Sequence, residues 1–221
     1  MKSIFLLTIL FITQLAVAQQ TCEMQFRLIA NDPSEAVADT MDIEIAQTRK
    51  KFAVNYRIEE IQERFVLDSV ALKVIELTNV DEEKVAFIAD LSKDEGYGFT
   101  SAYEIVEQEM IEQDEYRLLA DKKNIQGWDC RKIELLDEGV VFGSGWVVMG
   151  LHLGLGKETG FFFIKEGAII EYLLEDEEDG SSFSLKLIKS SKTITNPAKA
   201  FSLEIPAGYE LESYYDDEEE E

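Results

Sequence analysis

The side chains that do chemistry are unevenly supplied in this chain: 221 residues hold one histidine, two cysteines and 45 carboxylates. A Ser or Cys triad would have to take His152 as its base. That residue stands in an apolar, glycine-bent stretch, where a lone histidine is more often packed than catalytic. Neither a G-x-S-x-G elbow nor an H-E-x-x-H pair occurs. Gly154-Leu155-Gly156-Lys157-Glu158-Thr159 has the outline of a phosphate loop, but Leu151 stands where its first glycine belongs and Glu158 where a Ser or Thr is required. The carboxylates are the right groups for a glycosidase pair or a calcium site. In so acidic a chain no pair is singled out. Glu175-Asp176-Glu177-Glu178-Asp179-Gly180 lacks the spaced D-x-[DN]-x-[DN]-G pattern and reads as a solvated turn. No catalytic residue, metal ligand or cofactor is assigned, and the chain is read as not an enzyme.

The cysteines acquire meaning from the start of the chain. Lys2 precedes an apolar run over residues 4–17 that ends in Ala16-Val17-Ala18. A basic start, a short apolar core and small residues before a cut describe a signal peptide over 1–18, cleaved after Ala18. The run is too short for a membrane anchor, which needs about 20 apolar residues. Export to the periplasm or full secretion is the expectation, with no integral membrane segment in the mature chain. In an exported protein the even pair Cys22 and Cys130 reads as one disulfide, with two free thiols or a metal site as the alternatives. Lipid attachment at Cys22 is disfavoured, because Gln19-Gln20-Thr21 is bulky and polar where small apolar residues are wanted. The net charge of −24 repels phosphate backbones and argues against nucleic-acid binding. Basic partners, divalent cations or plain solubility remain compatible with it.

The elements that must position these groups alternate with period two. Cys22, Met24, Phe26 and Leu28 interleave with Glu23, Gln25 and Arg27, and Met41, Ile43 and Ile45 with Asp42 and Glu44. These are half-buried strands. Further strands are expected at 52–58, 64–70, 72–78, 84–90, 117–121, 130–136, 145–151, 161–165, 168–174, 182–189 and 201–205. Short strands at such spacing describe a sandwich, a barrel or an open barrel. One segment departs from the rhythm: Ser101-x-x-Glu104 is a capping box, and Ala102, Ile105, Val106 and Met110 follow at helical spacing. A helix over 101–114 is expected. The eighteen uncharged residues of 139–156 hold too many glycines for a membrane helix. With no internal repeat or Pro/Ser-rich linker, residues 19–212 form one β-rich domain, and 213–221 an acidic disordered tail.

What remains is apolar chemistry. Phe142, Trp146, Met149, Phe161, Phe162 and Phe163 crowd a short stretch, joined by Phe52, Tyr56, Phe65 and Phe87. They make either an ordinary core or an apolar cavity inside a curved sheet. Three successive aromatics on a strand place rings on both of its faces.

Four landmarks then occur in order: Ile125-Gln126-Gly127-Trp128-Asp129-Cys130, Gly145-Trp146-Val147-Val148, Gly167-Ala168-Ile169-Ile170-Glu171, and Phe201-Ser202-Leu203-Glu204-Ile205-Pro206-Ala207-Gly208-Tyr209. Over roughly residues 66–210 this resembles the exported bacterial domain-of-unknown-function family 4412, with Ile169 standing where many relatives carry Pro. The resemblance implies a fold similar to the LolA/LolB-type periplasmic lipoprotein carriers. That fold is mainly β: a curved antiparallel sheet, an incomplete half-barrel, with one inserted helix packing on its open face. Gly127, Cys130, Trp146, Glu171, Pro206 and Gly208 carry over as architecture, and Cys130 would pin Cys22 to the middle of the sheet. On this expectation the chain holds a hydrophobic ligand, a lipid or acyl chain, against Ile105 and Met110 of the helix and Phe142, Trp146, Met149 and Phe162 of the sheet. The alternative is an envelope interaction module with a filled core that binds protein partners through its acidic surface. A hydrolase would instead present a polar cleft with two facing acids.

Overall fold

The structure is a computed structural model, and the residues it describes are 21–34, 37–80, 83–90, 92, 111, 115–153, 163–176 and 179–212. Among the described residues the protein is mainly β, a single open antiparallel sheet with one short helix. Its strands are β1 (Cys22–Asn31), β2 (Asp39–Gln47), β3 (Lys51–Ile58), β4 (Ile61–Asp68), β5 (Lys73–Val80) and β6 (Glu83–Asp90). There follow β7 (Tyr116–Ile125), β8 (Trp128–Asp137), β9 (Val140–Met149), β10 (Phe163–Ile164), β11 (Gly167–Glu175) and β12 (Ser182–Ser191). The helix α1 (Pro197–Ala200) and a last strand β13 (Glu210–Glu212) complete the chain order. Across the sheet the order is β13-β6-β5-β4-β3-β2-β1-β12-β11-β9-β8-β7, with β10 beside β11. Among the described strands only β13 runs parallel to its neighbour, β6. Among the described residues β13 and β7 do not pair, so the sheet has two edges.

Alternation decides which side chains meet. Met24, Phe26 and Leu28 of β1 stand beside Ile45, Ile43 and Met41 of β2, and these continue to Val54 and Tyr56 of β3. In the other direction Phe26 and Leu28 stand beside Leu187 and Leu185 of β12, and Leu185 beside Tyr172 of β11. This front face carries most of the larger core cluster. The back face of β2 to β6 carries the smaller cluster of Ala46, Ala53, Val66, Ile75, Leu77 and Ala86. Small residues there let the segment around α1 lie close, with Phe201 buried among them and Ile194, Leu203, Ile205 and Tyr209 packed around. Asn196 caps α1 by accepting from the Lys199 N–H, and Pro197 sits in its first turn, where a missing N–H costs nothing.

Two expectations change, and a third falls outside the described residues. The strand expected at 201–205 is not formed: Phe201 follows α1, and the chain there lies irregularly over the back face. Arg64 holds it, donating to the carbonyls of Lys199, Ala200 and Ser202 at 3.1, 3.2 and 3.2 Å, so those acceptors are satisfied without a strand neighbour. The strand expected at 145–151 is Val140–Met149, because Gly143 and Gly145 are not bends. A Cβ on Gly145 would stand 2.5 Å from the Glu171 carbonyl oxygen, so the glycine allows close approach of β11. The helix expected over 101–114 lies outside the described residues except for Ile111, which packs against the larger cluster. Gly127, between β7 and β8, has φ +85°, the left-handed geometry that favours glycine in a tight turn.

Candidate ligand-binding site

The larger core is filled at one end of the sheet and open at the other. At the filled end, where β1 and β8 begin, Leu151, Leu153 and Ile164 are fully buried. The Trp128 indole N–H donates to Ser190 Oγ at 3.0 Å, and that hydroxyl donates to the Gln126 carbonyl at 2.6 Å. The Gln47 side-chain amide donates to the His152 carbonyl at 2.7 Å, tying the chain after β9 to β2. His152 is half-buried there, and burial lowers its pKa from the ordinary value.

At the opposite end, where β1, β8 and β11 finish and β9 and β12 begin, lies a cavity of about 1080 Å³. Ala30, Leu135, Leu174 and Phe183 line it from strands β1, β8, β11 and β12, and Ile111 adds to the wall. Val140, Val141 and Phe142 open β9 as three consecutive apolar residues, 69%, 46% and 42% exposed, and Leu173 is 42% exposed. All four line the cavity. Leu135 pairs with Gly143 while Leu136 pairs with Val141, so Phe142 is the extra residue of a bulge. A bulge breaks the alternation and re-aims a side chain that a regular strand would fix. The charged groups in the wall are Asp32, Glu115, Asp137, Glu175 and Asp176. The Ser34 hydroxyl and backbone N–H hold the Asp32 carboxyl below its ordinary pKa, so it is ionised at neutral pH.

Of the residues expected to hold ligand, Phe142 lies in this wall. Trp146 is not in it: its ring is partly buried against the larger cluster, with Lys123 Nζ 5.3 Å from the ring centroid. Met149 is exposed at the far end of β9. Ile105, Met110 and Phe162 lie outside the described residues. The wall residues that sequence reasoning passed over are Val140, Val141, Leu173, Leu174 and Phe183. One signal was present, since Val140-Val141-Phe142 directly after Asp137-Glu138-Gly139 puts apolar groups at a hairpin where a soluble strand usually turns polar.

The expected disulfide is corrected: Cys22 and Cys130 are both buried and unlinked. Both thiols belong to the larger core cluster. The Cys130 thiol donates to the Trp128 carbonyl at 3.3 Å. Burial pushes the Cys22 thiol up to about 12 and the Cys130 thiol to about 11. Among the described residues no group of three His, Cys, Asp or Glu side chains is placed to hold a metal ion. Among them also no helix is long and apolar enough to cross a membrane.

No family model matches the chain, and no curated protein matches it. Solved structures with some likeness include an uncharacterized conserved protein from Thermus thermophilus, with 10% identity, 88% of this chain and 91% of that chain covered, and a TM-score of 0.44. A protein of domain-of-unknown-function family 1329 from Desulfovibrio piger is 12% identical over 88% of this chain and 94% of its own, with a TM-score of 0.34. A LolA superfamily protein from Nitrosomonas europaea is 12% identical over 83% of this chain and 90% of its own, with a TM-score of 0.30. Likeness at this level decides nothing about function, which rests on the geometry of the cavity.

Proposed function

We propose that this chain is an exported, non-enzymatic binding protein that holds a hydrophobic ligand, a lipid or acyl chain, in the cavity at the open end of its sheet. The observation that carries the reading is that cavity of about 1080 Å³, walled by apolar side chains that the protein leaves exposed. Its size lies at the upper limit usual for small-molecule sites. Exposed apolar groups gathered in one place mark interaction surfaces, whereas scattered ones need no explanation. An open mouth with apolar walls suits a chain-like ligand. Residues 1–18 would be the export signal, removed after Ala18, with 19–212 one domain that works in the periplasm or outside the cell. Binding, not chemistry on the ligand, is the activity assigned.

The test is titration with N-phenyl-1-naphthylamine, an uncharged probe that fluoresces in apolar surroundings. Saturable binding is expected, weakened roughly tenfold by Phe142→Asp, since loss of one large apolar contact is worth about 1.5–3 kcal/mol. Leu174→Asp should act in the same direction. No saturable binding, or binding that both variants leave unchanged, would overturn the assignment.

A further inference from the structure

We infer that the ligand taken by this cavity is a cationic amphiphile, an apolar chain ending in an ammonium-type head. The inference rests on the proposal that the cavity binds an apolar ligand, and adds selection of the head group to it. Leu135, Phe142, Leu174 and Phe183 provide apolar walls for the chain. Among the described residues every charged side chain in the wall is a carboxylate, and no lysine or arginine lines the cavity.

This is a property of place as well as of composition. The described turns at the open end carry Glu59 and Glu60 between β3 and β4, Glu138 between β8 and β9, and Asp179 between β11 and β12, with no Lys or Arg among them. The filled end differs. Its turn between β2 and β3 is Thr48-Arg49-Lys50, and a second cavity of about 570 Å³ beside α1 is lined by Arg49, Lys50 and Lys51. The described turns at the mouth are therefore acidic, while Arg57, Lys84 and Arg117 near that end lie within strands and outside the cavity wall. A cleft lined by one sign of charge over low-dielectric walls concentrates the opposite charge. Carboxylates around the mouth favour a cationic head and repel the carboxylate or phosphate head of an ordinary anionic lipid.

Isothermal titration of the full mature chain with three twelve-carbon probes, each kept below its micelle concentration, tests the inference. The probes are dodecyltrimethylammonium, dodecyl maltoside and dodecanoate. Dodecyltrimethylammonium is expected to bind at least tenfold more tightly than dodecanoate, with the maltoside between them. The double variant Asp137→Asn with Glu175→Gln should shrink that preference at least threefold. The control Glu204→Gln with Glu210→Gln has the same net charge, lies outside the cavity wall, and should keep it. Equal binding of the three probes would overturn the head-group inference and leave the apolar site standing. A preference lost equally in both double variants would overturn it as well, by showing general surface attraction. Failure of all three probes to bind would overturn the site and the inference together.

Discussion

Single residues in this protein are governed by the period of two, and Cys22 and Cys130 show what that period hides. Counting cysteines under an expectation of export leads to a bridge, because the count carries no distance. Both thiols are instead buried and unlinked within the larger core cluster. Both thiols therefore stay protonated at ordinary pH, and a protonated thiol is a poor nucleophile. A thiol reagent at pH 8 is expected to find no reactive group in the folded protein and both cysteines after denaturation. Fast reaction in the folded state, or no thiol in the denatured one, would contradict the assignment. Phe142 teaches the complementary lesson. Its place in an aromatic-rich stretch was legible, and it does line the cavity; the bulge that turns it there depends on a mismatch with β8 that no single strand reveals.

Among the elements, the first three strands were legible from alternation, as in Cys22 to Leu28 or Phe52 to Ile58, and the next three from short apolar runs between polar breaks. The C-terminal segment was not. Phe201, Leu203 and Ile205 alternate as a strand would, yet they fasten onto the back face as a strap. What alternation cannot show is the donor: Arg64 meets the Ser202 carbonyl, which a neighbouring strand would otherwise have to meet, along with the Lys199 and Ala200 carbonyls at the end of α1. Burial lowers the Arg64 pKa from its very high ordinary value, and the group stays charged at neutral pH. Hydrogen bonds to a charged group are worth about 1.5–3 kcal/mol each when buried, and less when part-exposed as here. Arg64→Met, which keeps most of the apolar stem, should lower unfolding free energy by about 2 kcal/mol. It should also speed hydrogen exchange at residues 194–209 more than in β1 to β3. Uniform exchange changes across the sheet would argue that the segment and the sheet open as one unit. The strand β9 stands between these cases: its existence was legible, while Gly143 and Gly145 misled as bends because their role depends on β11.

For the whole molecule, a chain with net charge −24 invites a uniform picture that the topology does not support. Antiparallel strands bring every second turn to the same end, so the acidic turns collect at the mouth, and Thr48-Arg49-Lys50 lies at the opposite pole. The sheet stays open, its core is packed against Leu151, Leu153 and Ile164 at one end, and apolar side chains line an unfilled space at the other. Composition foretold a β-rich chain with surplus aromatic side chains; the division into a filled end and an open end arises from pairing order, which sequence alternation leaves free. That division is the central claim, since a binding protein needs the space and a solid interaction module does not. Native mass spectrometry of the protein, isolated without detergent from the cells that express it, tests this most directly. The account predicts the polypeptide mass plus one ligand of lipid size, with the added mass lost in Phe142→Asp. A bare polypeptide from the unaltered protein, both as isolated and after incubation with dodecyltrimethylammonium, would contradict it.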